Sequence, residues 1–177
     1  MNLEFSKEDL NEIFETLEKY GVVVIKNFLS EKDFKNIETK TLDWLNDNID
    51  NQDVKSNPNN SFTQLRNSQK TVINRRMRNR DGDEGLMDVW HIEKSLDNHS
   101  RDSLAYMKDY CKNICEKTFK IPYKFFSTNL YYNNSVSETR GIHSDSGVFP
   151  SRIKAFLYIS DVKDKSDGAF SYILNSH

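Results

Sequence analysis

The chain has 177 residues, with 25 basic and 27 acidic side chains and a net charge of −2. That length suits one domain with a real core, and the balanced charge gives no reason to expect nucleic acid or a membrane surface as the main partner. No stretch approaches the roughly 20 apolar residues of a membrane span, and the acidic, amphipathic N-terminus lacks the basic-then-apolar order of a secretory signal.

The spacing predicts a first helix over Ser6 to Tyr20, opened by Ser6 and Asp9 in a capping-box pattern and carrying an apolar stripe of Leu10, Ile13, Phe14 and Leu17. Gly21 stands where a C-terminal cap belongs, and Val22 to Ile25 reads as a short buried strand. Ser30 and Asp33 repeat the capping pattern ahead of a second helix with Phe34, Ile37, Leu42 and Leu45 on its inner side. Residues 46–70 are rich in Asn, Asp, Ser and Gln and predict a long surface loop. A cationic cluster follows, comprising Arg66, Lys70, Arg75, Arg76, Arg78 and Arg80. It reads either as a solvated face balanced by Asp81, Asp83 and Glu84 or as a patch that receives an anionic substrate, for which the planar guanidinium fork is suited. RNA is the poorer partner, because no stacking aromatics are interleaved with the cations. A third helix is expected over Ser103 to Phe119, ended by Pro122, with Leu104, Cys111, Ile114, Cys115 and Phe119 facing inward. Cys111 and Cys115 share one helix face and read as reduced core thiols, which points to the cytoplasm.

From Phe125 onward the periodicity turns to strands, with turns at Asn133-Asn134 and Asp167-Gly168. The strand expected at Arg152 to Ile159 has one wholly apolar face (Ile153, Ala155, Leu157, Ile159) and one mixed face (Lys154, Phe156, Tyr158). Between these segments lies His143-Ser-Asp145. Side chains at i and i+2 of a strand converge on one side, so this pair offers an imidazole and a carboxylate, two thirds of the triad that holds non-haem Fe(II). A second pair, His91-Ile-Glu93, lies among alternating apolar residues that suggest ordinary packing. The Gly141, Ser146, Gly147 and Pro150 that surround His143 instead describe an accessible loop.

Four segments in this order and spacing, Asn129-Leu-Tyr-Tyr-Asn, Thr139-Arg-Gly-Ile-His-Ser-Asp145, Ile153 to Val162 and Gly168 to His177, resemble the phytanoyl-CoA dioxygenase family. The likeness is clearest over residues 125–177 and extends more loosely back to Gly21. The resemblance implies an α+β chain: a double-stranded β-helix (jelly-roll, cupin-like) with N-terminal helices packed on it, residues 1–177 forming one partial domain that is incomplete at its C-terminus. It implies Fe(II) and 2-oxoglutarate as cofactor and co-substrate, with oxidative decarboxylation coupled to hydroxylation of a small molecule. By the same resemblance His143 and Asp145 are the catalytic metal ligands, and Asn129 and Tyr158 lie beside 2-oxoglutarate; Tyr158 reads equally as core packing with a satisfied hydroxyl, and Arg140 either as a contact to a carboxylate in the pocket or as a surface salt bridge. His177 is a further candidate ligand, at a position the family does not normally use for iron. The family's second histidine and the basic partner of 2-oxoglutarate have no counterpart in residues 1–177, so this chain is expected to show little activity by itself. Two other readings stand beside it: an inactive binding module of the same fold, and an anion- or RNA-binding protein using the 66–80 cluster. Unpaired apolar strand edges are further expected to promote self-association.

Overall fold

A parallel two-residue ladder joins the N-terminal strand β1 (Glu4–Phe5) to β2 (Val24–Ile25), and between them runs helix α1 (Leu10–Tyr20). The computed structural model describes residues 2–48, 62–66, 72–76, 86–119, 124, 125, 127–133, 153–174 and 176. The start of α1 lies later than the capping pattern predicts. The Asp9 carboxylate does reach back to the Ser6 backbone N–H, at 3.0 Å, but Asp9 itself occupies the cap and the Ser6 hydroxyl turns to Glu8. Gly21 closes the helix as expected, in the left-handed conformation at φ 75°, donating its N–H to the Leu17 carbonyl. The strand expected as buried over Val22–Ile25 pairs only at Val24–Ile25, and Val24 is 46% exposed because a two-residue ladder offers nothing to cover that face.

Helix α2 (Glu31–Asn48) begins on the expected box: the Ser30 hydroxyl accepts the Asp33 N–H at 3.1 Å and donates to the Asp33 carboxylate at 2.6 Å. Its buried stripe is Ile37, Thr41, Trp44 and Leu45, with Leu42 left 45% exposed. Helix α3 (Asn98–Phe119) starts five residues before the expected Ser103, since Asp97 serves as its cap by accepting the Ser100 N–H at 2.8 Å. Asn36 of α2 donates to Asp97 at 3.3 Å and to the buried Ser100 hydroxyl at 2.8 Å, tying the two helices at that corner. Phe28 stacks on Tyr106 with centroids 5.3 Å apart and meets Tyr110 edge-on at 5.0 Å; the Tyr110 hydroxyl donates to the Lys7 carbonyl at 2.8 Å. These contacts hold the N-terminal segment on α3.

A four-stranded antiparallel sheet forms the second layer, in the order β3 (Phe62–Arg66), β4 (Val72–Arg76), β5 (Leu86–Trp90), β6 (Asn129–Asn133). Two corrections to the sequence reading follow. The predicted loop over 46–70 contains the last residues of α2 and all of β3, and the cationic cluster contains β4. Each of these strands is five residues long with two large apolar residues, too faint a periodicity to stand out from the polar background. Successive residues of a strand face opposite sides, so the register sorts the sheet into two faces. One row, Leu65–Ile73–Val89–Leu130, is wholly apolar. Within it Val89 and Leu130 lie on the helix side, where Val89 is fully buried with Trp44, Leu45, Ile92 and Leu96, and Leu104, Leu130 and Tyr132 pack around them.

The third correction concerns residues 152–159. Among the described residues, 153–163 belong to no ladder. The alternation is nevertheless visible in burial, with Ile153, Leu157 and Ile159 partly buried and Lys154, Phe156 and Tyr158 exposed; Ala155 departs from the expected face. Periodicity specifies which face is covered, whereas a ladder also needs a neighbouring strand. The chain does reverse where expected: a 3₁₀ turn over Lys165–Asp167 leads into Gly168 at φ 81°, and the Asp167 carboxylate accepts the Lys163 and Asp164 N–H groups at 2.8 and 3.3 Å.

Candidate functional site

On the side of β5 and β6 opposite Val89, Trp90 faces Asn129 and Asp88 faces Tyr131. Asn129, expected beside 2-oxoglutarate, stands at the start of β6 directly opposite Trp90, on the side turned away from the helical core. Its Oδ1 is buried and has no hydrogen-bond partner among the described residues. A buried amide oxygen without a donor is costly, so a bound donor at this point would relieve it.

Sequence reasoning passed over Trp90, Asp88 and Tyr131. Trp90 is 39% exposed and Tyr131 46% exposed, while Val89 beside Trp90 is fully buried. The Trp90 indole N–H donates to the Asp88 carboxylate at 2.6 Å, and Asp88 itself is only 9% exposed. The signal available was the i, i+2 spacing of Asp88 and Trp90 opposite an Asn-x-Tyr of the same spacing, which becomes informative only once the register is known.

His91 and Glu93 do not share a strand face. The backbone leaves β5 at His91, which adopts the left-handed conformation at φ 62°, and passes into a 3₁₀ turn over Ile92–Ser95. The His91 N–H is held by the Thr128 carbonyl at 2.9 Å, and its Nδ1 lies 3.6 Å from the Glu93 carboxylate. Ile92, 4% exposed, takes the core position between them, as the packing reading expects.

Tyr158, the second residue expected near 2-oxoglutarate, is 44% exposed, and its hydroxyl accepts the Phe170 N–H at 2.9 Å. Phe156 meets Phe170 at a centroid distance of 4.9 Å, so these aromatics pin the two arms of the C-terminal reversal together. His143, Asp145, Arg140 and His177 lie outside the described residues, as do Lys70, Arg78 and Arg80. Among the described residues no three His, Cys, Asp or Glu side chains form a group that could hold a metal ion. Of the cationic cluster, Arg66 belongs to β3 and Arg75 and Arg76 belong to β4.

Cys111 and Cys115 are free thiols on α3, each half-buried. Burial pushes the Cys111 thiol up to about 11, with Cys115 adding to the effect. Both are therefore protonated and unreactive at neutral pH. No helix among the described residues is long and apolar enough to cross a membrane. No protein-family model matches the chain, no characterised protein is detectably similar to it, and no solved structure shares its fold at a detectable level.

Proposed function

We propose that the chain is an Fe(II)- and 2-oxoglutarate-dependent oxygenase domain that hydroxylates a small-molecule substrate, similar to the phytanoyl-CoA dioxygenase family. The observation that carries the reading is the ordered set of four motifs around His143-Ser-Asp145. The register adds support: Asn129 pairs with Trp90 on the side of β5 and β6 away from the helices, the side on which a ligand-holding barrel interior would lie. In this reading His143 binds iron as a neutral imidazole and Asp145 as a carboxylate. Asn129, Tyr158 and Arg140 contact 2-oxoglutarate. The bound iron and co-substrate supply the oxidising chemistry; the residues of the chain orient the substrate C–H bond and keep water from it. Within residues 1–177, His177 is the candidate for the third metal ligand. The free thiols of α3 suit a reducing compartment, the cytoplasm.

The test is Fe(II) binding under anaerobic conditions, followed by succinate release on adding O2. Residues 1–177 should bind Fe(II) weakly, since losing even an outer-shell partner costs about 10–100-fold in affinity or activity. His143→Ala and Asp145→Ala should each abolish the residual binding. Fe(II) binding unaffected by both substitutions would overturn the reading. Succinate release lost on His177→Ala would instead make the terminal histidine the third ligand.

A further inference from the structure

The two cysteines of the chain, Cys111 and Cys115, stand four residues apart on α3. Residues so spaced are neighbours on one helix face, with Cβ atoms about 5–6 Å apart. Helical side chains lean toward the N-terminus, so the Cys115 sulfur lies over the turn that carries Cys111. The two groups sense each other, since Cys115 helps to push the Cys111 thiol up. Both thiols are free and half-buried, neither sealed in the core nor open to bulk water.

The spacing selects among the reactions open to a pair of thiols. A disulfide needs Cβ atoms about 3.5–4.5 Å apart, closer than successive turns of an intact helix bring them. An ion held between the sulfurs needs more room. With metal–sulfur bonds of about 2.3 Å, as for zinc, a linear S–metal–S unit sets the sulfurs about 4.6 Å apart. The Cβ atoms lie beyond the sulfurs, so this span suits the helical spacing that a disulfide does not.

The donors select the ion. A structural zinc site takes four ligands, and among the described residues no three His, Cys, Asp or Glu side chains gather. Calcium and magnesium take oxygen ligands and would ignore the sulfurs. Two thiolates in line suit a soft ion that is satisfied by two ligands, which is Cu(I). Burial keeps both thiols protonated while no ion is bound, which protects them from electrophiles. An arriving ion displaces the two protons to solvent, two S–H bonds giving way to two S–Cu bonds. Copper enters and stays as Cu(I), so no electron is transferred.

We propose that Cys111 and Cys115 form a two-coordinate Cu(I) site on α3, each binding the ion through its thiolate sulfur. The site shares no residue with the iron site read at His143 and Asp145 and does not rest on that reading.

The experiment titrates the full chain, reduced and free of iron, with Cu(I) under anaerobic conditions in competition with bathocuproine disulfonate. One Cu(I) per chain should be withdrawn from the chelator, with an ultraviolet sulfur-to-copper band rising in step. Cys111→Ser and Cys115→Ser should each weaken binding by more than about a hundredfold, since a lost ligand costs more than the 10–100-fold of a lost outer-shell partner. Asn113→Cys combined with Cys115→Ala keeps two thiols but sets the second off the shared face, and it should bind no better than the single variants. If Cys111→Ser does not fold, Cys115→Ser and the displaced pair carry the test. Failure of the chain to compete with the chelator, or retention of binding in the variant lacking both cysteines, would overturn the proposal. So would full binding by the displaced pair, or one ion for every two chains. Because these measurements contain no iron, their failure leaves the His143 and Asp145 metal test untouched, and the reverse also holds.

Discussion

The caps show how local chemistry becomes a measurable quantity at single residues. Ser30 and Asp33 exchange two hydrogen bonds at the head of α2, and Asp97 takes the Ser100 N–H at the head of α3. Those bonds from the Ser100 backbone and side chain, with one from Asn36, hold the Asp97 carboxyl below its ordinary value of 3.8. A depressed carboxylate stabilises the fold above its ordinary range and loses that contribution as pH falls through the folded value. Ser30→Ala and Asp97→Ala should each cost about 0.5–2 kcal/mol in urea unfolding at neutral pH. The Asp97→Ala loss should shrink in acid, where the wild-type cap is itself protonated; a loss independent of pH would show that the cap acts through shape alone. Such positions were legible in the sequence because their partners lie within three residues. The left-handed conformation of His91 was not, since it follows from where β5 must end against Thr128, 37 residues away in the chain.

Helix positions were easier to read than strand partners. Three helices were expected and the described residues hold three, those of α1 and α3 with starts displaced by other caps. The stripe of α2 illustrates the limit of reading by residue type: Thr41 is 3% exposed while Leu42 is 45% exposed. Hydrophobicity favoured Leu42, but position on the helix decided, because 37, 41, 44 and 45 recur at the helical repeat. Leu45→Ala should cost about 2–5 kcal/mol, the range for deleting a buried leucine. Leu42→Ala should stay within about 0.5 kcal/mol, as exposed substitutions do. Equal losses in denaturant titrations would place Leu42 in the core and contradict the packing described. Strands β3 and β4 went unread for a related reason. Leu65 and Ile73 pair across β3 and β4, and their place beside Val89 and Leu130 shows only in the register. The facing pairs Trp90–Asn129 and Asp88–Tyr131 likewise came into view only through that register.

Taken together, the described residues form a helical layer packed against β5 and β6, with a C-terminal reversal whose apolar residues remain exposed. Phe156, Tyr158, Phe170, Ile173 and Leu174 are each at least 40% exposed. Exposed apolar groups in a segment without a ladder invite pairing with another copy. Sedimentation should therefore show concentration-dependent association that Phe156→Ser with Phe170→Ser reduces; a monomer at every concentration would remove the expectation. The helical layer makes a separate prediction at alkaline pH. Tyr110 and Cys111 are adjacent on α3, and burial pushes them up to about 12 and about 11, from ordinary values of 10.0 and 9.0. Both are neutral when protonated, so the folded chain holds its protons more tightly than the unfolded one. The resulting stability is fully present below the unfolded thiol value of 9.0 and is lost as pH rises through the folded value of about 11, with Tyr110 extending the loss toward about 12. The unfolding free energy should accordingly fall with increasing pH across this window, while Cys111 resists alkylation at neutral pH. Cys111→Ala removes one of the two titrating groups and should flatten the fall between 9.0 and about 11 without abolishing the later Tyr110 step. An unchanged slope in that variant would mean that the thiol is as accessible in the folded chain as in the unfolded one, and that α3 does not bury it.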